Sequence, residues 1–262
     1  MTGTTVPSWL SFNAATGVLS GTPANANVGT SGNDVVITVT DGNNGQVTDS
    51  FTITVTNTND APTVANAISD ASTDEDAAYS LSISNVFADV DTGDSCTYSM
   101  SGAPSTITLS GTTISGTPVN ADVGTHTIVV TCTDGSSASV SDSYVLTVVN
   151  TNDAPTVANA ISDATTAEDA AYSLDISSVF ADVDAGDTLT YAVSAGPSSL
   201  SISSGTVTGT PTNDDVGANT VIITATDGTA SVTASYVLTV TNTNDAPTIT
   251  STADTTAEED EA

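Results

Sequence analysis

The sequence predicts an all-β chain organised as tandem β-sandwiches, and three observations carry that expectation. NDAP recurs at Asn59, Asn152 and Asn244, and the glycine of SGTP or TGTP recurs at Gly21, Gly116 and Gly209, a period of 92 to 95 residues. Within each period, short runs rich in Val, Ile, Thr and Ser alternate apolar with polar residues, the pattern of strands with one buried face. Gly and Asp turn signals separate these runs, and no helical period of comparable length competes with them. Solenoid repeats of ~20–50 residues need their neighbours to form a core, whereas ~100 residues suffice for a closed sandwich.

The elements follow in order within each unit. YSLSIS at Tyr79, LTYAVS at Leu189 and PSSLSIS at Pro197 are strand candidates. In TVIITATDG, Val221, Ile223 and Ala225 share one face, matched by Ile128, Val130 and Cys132 and by Val35, Ile37 and Val39. The last strand reads SFTITVTN, DSYVLTVVN and ASYVLTVTN in turn, which completes about seven strands per unit. Two whole units are expected, 62–154 and 155–246, preceded by the later part of one (1–61) and followed by the opening of another (247–262). Met1-Thr2-Gly3 aligns with Met100-Ser101-Gly102, so the chain reads as an excerpt of a longer array. Head-to-tail pairing of copies through 247–262 is the other reading of that frame.

The 262 residues carry 31 acidic side chains, no Lys or Arg and one His, a net charge of −31. Such a chain repels nucleic acid and anionic membranes, so bound cations or a cationic partner are expected. Disorder is the competing reading of so acidic a composition, but regularly spaced Val/Ile alternation opposes it. No stretch approaches the roughly 18 apolar residues of a membrane span, and MTGTTVPSWLSF lacks the basic start of a signal peptide.

VPSWLSFNAATGVLSGTP near Pro7, FADVDAGDTLTY near Phe180, ITATDG near Ile223 and the TNDAP linker, in the same order in successive units, resemble the cadherin-like repeats (dystroglycan type) of large bacterial surface adhesins. The resemblance implies immunoglobulin/cadherin-like Greek-key sandwiches in an elongated rod, extracellular or cell-surface display, and calcium where successive repeats meet.

The residues themselves suit that ion. A spacing of two along an extended segment puts Asp89 and Asp91, and likewise Asp182 and Asp184, on one side, with Asp94 and Asp187 three residues on after a Gly. Calcium takes six to eight hard oxygens, and the lack of clustered His or Cys argues against zinc or copper. The cadherin arrangement implies that Asn59 and Asp60 meet Asp89, Asp91 and Asp134, and that Asn152 and Asp153 meet Asp182, Asp184 and Asp227. It further implies that Glu75 or Asp76 joins Asp153, and Glu168 or Asp169 joins Asp245. The linker opens with Asn where cadherins usually have Asp, and their mid-domain acidic motif has no counterpart. The alternative is that these Asp residues only shape turns, a common use of Asp and Asn before Gly.

Cys96 and Cys132 occupy the places of Leu189 and Ala225, on strands that neighbour each other in an immunoglobulin-like sheet, and are expected to form a disulfide. Two free buried thiols are the alternative. His126 aligns with Asn219 and is expected to be an idle surface residue; Trp9 is expected to pack at the rim.

Catalysis is not expected. The one His has no counterpart in other units, no phosphate-binding loop or basic residue is present, and acid pairs that recur at every joint are unlike a glycosidase pair. The function expected is a non-catalytic stalk of an adhesin or an extracellular filament, stiffened by calcium. Its partners are calcium ions, neighbouring repeats and copies of itself, head to tail or lateral, with no nucleic acid. Lacking Lys and Arg, the chain offers no site to trypsin-like proteases and no Lys for isopeptide cross-links. A ligand-binding module for glycan or protein, beginning at Trp9, is the alternative.

Overall fold

The computed structural model describes residues 4–252, so the Met1 alignment and the acidic end of the 247–262 segment lie outside the described residues. The chain forms two compact units with a boundary after Thr151.

The first unit opens with a partial repeat: β1 (Thr4–Thr5), β2 (Leu10–Asn13), β3 (Val18–Gly21), β4 (Asp34–Thr40) and β5 (Gln46–Thr52). The second repeat follows in the same unit as β6 (Thr63–Val64), β7 (Ala71–Asp74), β8 (Tyr79–Ser82), β9 (Phe87–Ala88), β10 (Thr97–Ser101), β11 (Ile107–Ser110), β12 (Thr113–Gly116), β13 (Gly124–Thr133) and β14 (Ser139–Val149). The second unit repeats this plan in β15 (Thr156–Val157), β16 (Ala164–Ala167), β17 (Tyr172–Asp175), β18 (Phe180–Ala181), β19 (Thr190–Ala195), β20 (Ser201–Ser203), β21 (Thr206–Gly209), β22 (Gly217–Thr226) and β23 (Ser231–Thr241). Each whole repeat thus has the seven strands read from sequence plus a two-residue pair, β6 with β9 or β15 with β18.

One sheet of the second repeat has the order β10-β13-β14-β7 and the other β11-β12-β8. The third repeat matches it with β16-β23-β22-β19 and β17-β21-β20. The outer strand β7 runs parallel to β14, Leu146 opposite Ala71, and β16 runs parallel to β23, Leu238 opposite Ala164. Alternation places Ile128, Val130 and Cys132 of β13 and Tyr144, Leu146 and Val148 of β14 inward, in one cluster with Tyr79, Ile83, Ile107 and Ile114. Val221, Ile223, Ala225, Tyr236, Leu238 and Val240 form the equivalent layer of the third repeat.

The first repeat departs from this pattern. Val35 is fully buried, but Val39 is 40% exposed although it shares the same strand face. Among the described residues β1 pairs with β4 only opposite Ile37 and Val36, so the Val39 end of β4 is paired with β5 alone, whereas β10 runs along β13 as far as Thr133.

Within each core a tyrosine pair meets hydroxyl to hydroxyl, Tyr79 donating to Tyr144 at 3.3 Å and Tyr172 to Tyr236 at 3.2 Å. Burial pushes ionisation of Tyr144 and Tyr236 far up, so both stay neutral donors and acceptors. Tyr144→Phe will leave the Tyr79 hydroxyl without its partner and cost about 1 kcal/mol, seen as a lower denaturant midpoint at unchanged slope.

Cys96, just before β10, is joined to Cys132 of β13 with their Cα atoms 5.2 Å apart. His126 is not idle. Its Nε2 lies 2.7 Å from the Asp122 carbonyl, which can only accept, so the ring donates and pins the 3-10 turn Asn120–Asp122. The amide of Asn219 does the same to the Asp215 carbonyl at 2.7 Å. The Trp9 indole donates to Asn33 Oδ1 at 3.0 Å, and Asn33, 1% exposed, ties the Asn27 and Gly29 carbonyls.

Candidate metal centre

The FADVD segments leave β9 and β18 in extended form and then turn sharply. Asp89 Oδ1 accepts from the Asp91 amide at 2.9 Å, an Asx turn that leaves Asp89 Oδ2 buried without a partner. Asp91, 5% exposed, accepts the Asp60 amide on Oδ2 at 2.7 Å and keeps Oδ1 buried without a partner. Gly93, at φ +96°, makes the turn that returns the chain, a conformation costly for any residue with a Cβ. Oxygens of Asp89, Asp91 and Asp94 then lie within 4.8 Å of one another.

The third repeat builds the same cluster from Asp182, Asp184 and Asp187, with Gly186 at φ +106°. Asp182 Oδ1 accepts from the Asp184 amide at 3.0 Å while its Oδ2 has no partner, and Asp184 Oδ2 accepts from the Asp153 amide at 2.7 Å. In each cluster one set of carboxylate oxygens shapes the backbone and another is left aimed inward. Leaving buried carboxylate oxygens unpaired is unfavourable, and no Lys or Arg exists to pair them.

The TDG aspartates both shape turns and hold the linker. Asp134 Oδ1 accepts from the amides of Ser136 and Ala138 at 2.9 and 2.8 Å, and Oδ2 accepts from Asn59 Nδ2 at 2.9 Å. Asp227 Oδ1 accepts from Thr229 and Ala230 at 2.6 and 2.7 Å, and Oδ2 from Asn152 Nδ2 at 3.1 Å. The Asn59 amide, aided by the turn amides against the cost of desolvation, holds Asp134 below its ordinary value; the Ala230 and Thr229 amides lead for Asp227. Asp187 is shifted the other way, by desolvation first and then by the charges of Asp184, Asp182 and Asp227.

These directions fix a pH dependence. Groups whose folded values are lowered stabilise the fold above the unfolded aspartate value of 3.8 and lose that contribution as pH falls through the lowered value. Protection factors against hydrogen exchange at Ser136, Ala138, Thr229 and Ala230 in chelator, taken relative to the intrinsic rate at each pH, will therefore fall below about pH 3.8 and stay constant from pH 5 to 7.

Linker residues take places that differ in part from the sequence expectation. Asp60 reaches the cluster through its backbone amide; its carboxylate accepts instead from Asn25 Nδ2 at 2.8 Å. A carboxylate set directly against Asp89 and Asp91 with no cation between them would be repelled, whereas an N–H is a donor they can accept. Asp245, exposed, faces Asn213 Nδ2 in a long 3.5 Å contact. Asn25 and Asn213 escaped the sequence reading, although GTPxN closes on Asn25, Asn120 and Asn213 in all three units.

Glu75 and Glu168 are each 2% exposed, and they are separated from their neighbours Asp76 and Asp169. Glu75 Oε1 accepts from the Thr151 amide at 2.8 Å and Glu168 Oε1 from the Thr243 amide at 2.6 Å, each leaving Oε2 buried and unpartnered. Asp76 and Asp169 are exposed turn residues at φ +57° and +58°, their amides donating to the Pro118 and Pro211 carbonyls. The glutamates thus hold the segment entering the next linker, and the aspartates do not. The clusters offer only hard oxygens, and both cysteines are consumed in the disulfide, a donor set that fits calcium.

A family model described as "Putative Ig domain" matches residues 1–56, 61–149 and 154–241. The chain belongs to this Ig-domain family. A serine-rich adhesin for platelets from Staphylococcus aureus (strain MRSA252) is 38% identical over 138 residues, which cover 52% of this chain and 9% of the adhesin. The matched stretch therefore spans less than a tenth of that relative's length. The EC22-24 segment of mouse cadherin-23 superposes with a TM-score of 0.54 at 19% identity, covering 90% of this chain and 83% of that one, a likeness of fold. An endo-fucoidan hydrolase of glycoside hydrolase family 107 aligns at 26% identity over 93% of this chain and 39% of that one, with a TM-score of 0.36 too low to bear on chemistry. The chain is a tandem cadherin/Ig-like array of the surface-adhesin kind, and its place is the cell surface or the extracellular space. Among the described residues no helix is long and apolar enough to cross a membrane.

Proposed function

We propose that the chain is a non-catalytic spacer of an extracellular stalk or filament whose joints are fixed by calcium. The observation that carries this reading is the set of buried, unpartnered carboxylate oxygens, Glu75 Oε2, Asp89 Oδ2, Asp91 Oδ1, Glu168 Oε2 and Asp182 Oδ2, in a chain with no Lys or Arg.

Asp89, Asp91 and Asp94 hold one ion; Asp182, Asp184 and Asp187 hold another. Asn59 and Asp60, and Asn152 and Asp153, fasten the preceding linker to these loops, with Asp134 and Asp227 as its anchors. Glu75 and Glu168 add a carboxylate at the C-terminal end of their own repeats, Glu168 beside the linker that carries Asp245. Calcium supplies positive charge that turns repulsion among these acids into a shared oxygen shell. Ligand loops and linker then lose their independent motion, and the angle between the partial and second repeats within the first unit is set. Pro62 and Pro155, both buried at the linker ends, restrict φ and support the same stiffness.

Small-angle scattering in saturating calcium and in chelator tests this. A larger maximum dimension with calcium is expected, and superimposable curves contradict the stiffening role. The ligand-recognition alternative gains no support at Trp9, whose indole N–H is already engaged by Asn33.

A further inference from the structure

The disulfide lies where it reaches both sides of the second repeat's acid cluster. Cys96 is two residues after Asp94, and Cys132 two residues before Asp134. The β10–β13 ladder ends at Thr97 opposite Thr133, so the loop with Asp94 and the turn with Asp134 both begin where the strand pairing stops. A Cβ at Gly135 would stand 3.9 Å from Asp94 Oδ1, which places that carboxylate against the Asp134 turn. The third repeat ends its ladder in the same way, Thr190 opposite Thr226, but has Leu189 and Ala225 in place of the cysteines. Asp134 is buried, whereas its counterpart Asp227 is half-buried.

We infer that the Cys96–Cys132 disulfide is a positioning device for the second repeat's metal loop, holding Asp94 and Asp134 together so that this repeat binds calcium more tightly than the third. The inference rests on the calcium reading above. A covalent link at the loop base removes loop conformations that cannot converge on an ion, and a binding site ordered in advance loses less on binding. Coupling is reciprocal, so calcium must also protect the bond.

The test silences the third repeat with Asp182→Asn and Asp184→Asn and measures calcium affinity by calorimetry, with and without Cys96→Leu plus Cys132→Ala, the pair that the third repeat uses. A fivefold or greater loss on removing the cysteines is expected. Unchanged affinity alongside a lowered melting temperature makes the bond merely structural and overturns the inference. No binding in either chain overturns it together with the metal reading. Should the cysteine variant not fold, the unaltered chain decides: dithiothreitol must reduce the disulfide several-fold more slowly in calcium than in chelator, and equal rates overturn the inference.

Discussion

In saturating calcium, Asp91→Asn will melt its repeat roughly 10 to 20 °C below the unaltered chain, and in chelator the gap will close or reverse. The size follows from linkage: an ion at a hundred times its dissociation constant stabilises the folded form by about 2.7 kcal/mol, and 1 kcal/mol moves a domain of this size by ~4–8 °C. The sign in chelator follows from the cluster. Asn retains an oxygen to accept the Asp60 amide, which Asp91 Oδ2 holds at 2.7 Å, but removes one of three charges confined within 4.8 Å. Relief of that repulsion offsets the weaker acceptor. Scanning calorimetry with calcium and with chelator checks both halves, and a variant that keeps the full calcium shift removes Asp91 from the site.

Leu238→Ala will cost about 2 to 5 kcal/mol and unfold the third repeat first. Leu238 is fully buried in β23, opposite Ala164 across the parallel pair and Asn219 across the hairpin. Its inward neighbours Tyr236 and Val240 are anchored in the same ladder, so the lost side chain leaves a cavity that they cannot collapse to fill. Val183→Ala is the contrasting case. Val183 points outward between Asp182 and Asp184, 57% exposed, and its truncation will change stability by no more than about 0.5 kcal/mol. Urea titration of both variants measures the difference. Equal costs would contradict the inward placement of Leu238 and the outward placement of Val183.

Much of the architecture was legible because alternation and turn chemistry speak directly about burial. Val221, Ile223 and Ala225 face inward, as their spacing demands. Val39 broke the pattern because burial depends on what covers a face, which periodicity along one strand does not encode. The acid triplets were legible for a similar reason: spacing of two followed by Gly and Asp leaves few ways to keep those carboxylates apart. The linker was read less well. A sequence shows that Asp60 is acidic but not that its backbone amide, rather than its carboxylate, meets Asp91. Choice between Glu75 and Asp76 also needed backbone geometry, since φ +57° at Asp76 turns the chain there and leaves Glu75 facing the Thr151 amide. His126 looked idle because its role is a hydrogen bond to a carbonyl, which Asn219 performs with unrelated chemistry.

Calorimetric titration of the intact chain with calcium, beside the double variant Asp91→Asn, Asp184→Asn, tests the clamp most directly. Saturable binding well below millimolar calcium in the unaltered chain, lost in the double variant, is the predicted result. No saturable heat below about 1 mM, where even weak extracellular calcium modules bind, or the same isotherm from both chains, would contradict it and leave the acids as solvated turn residues.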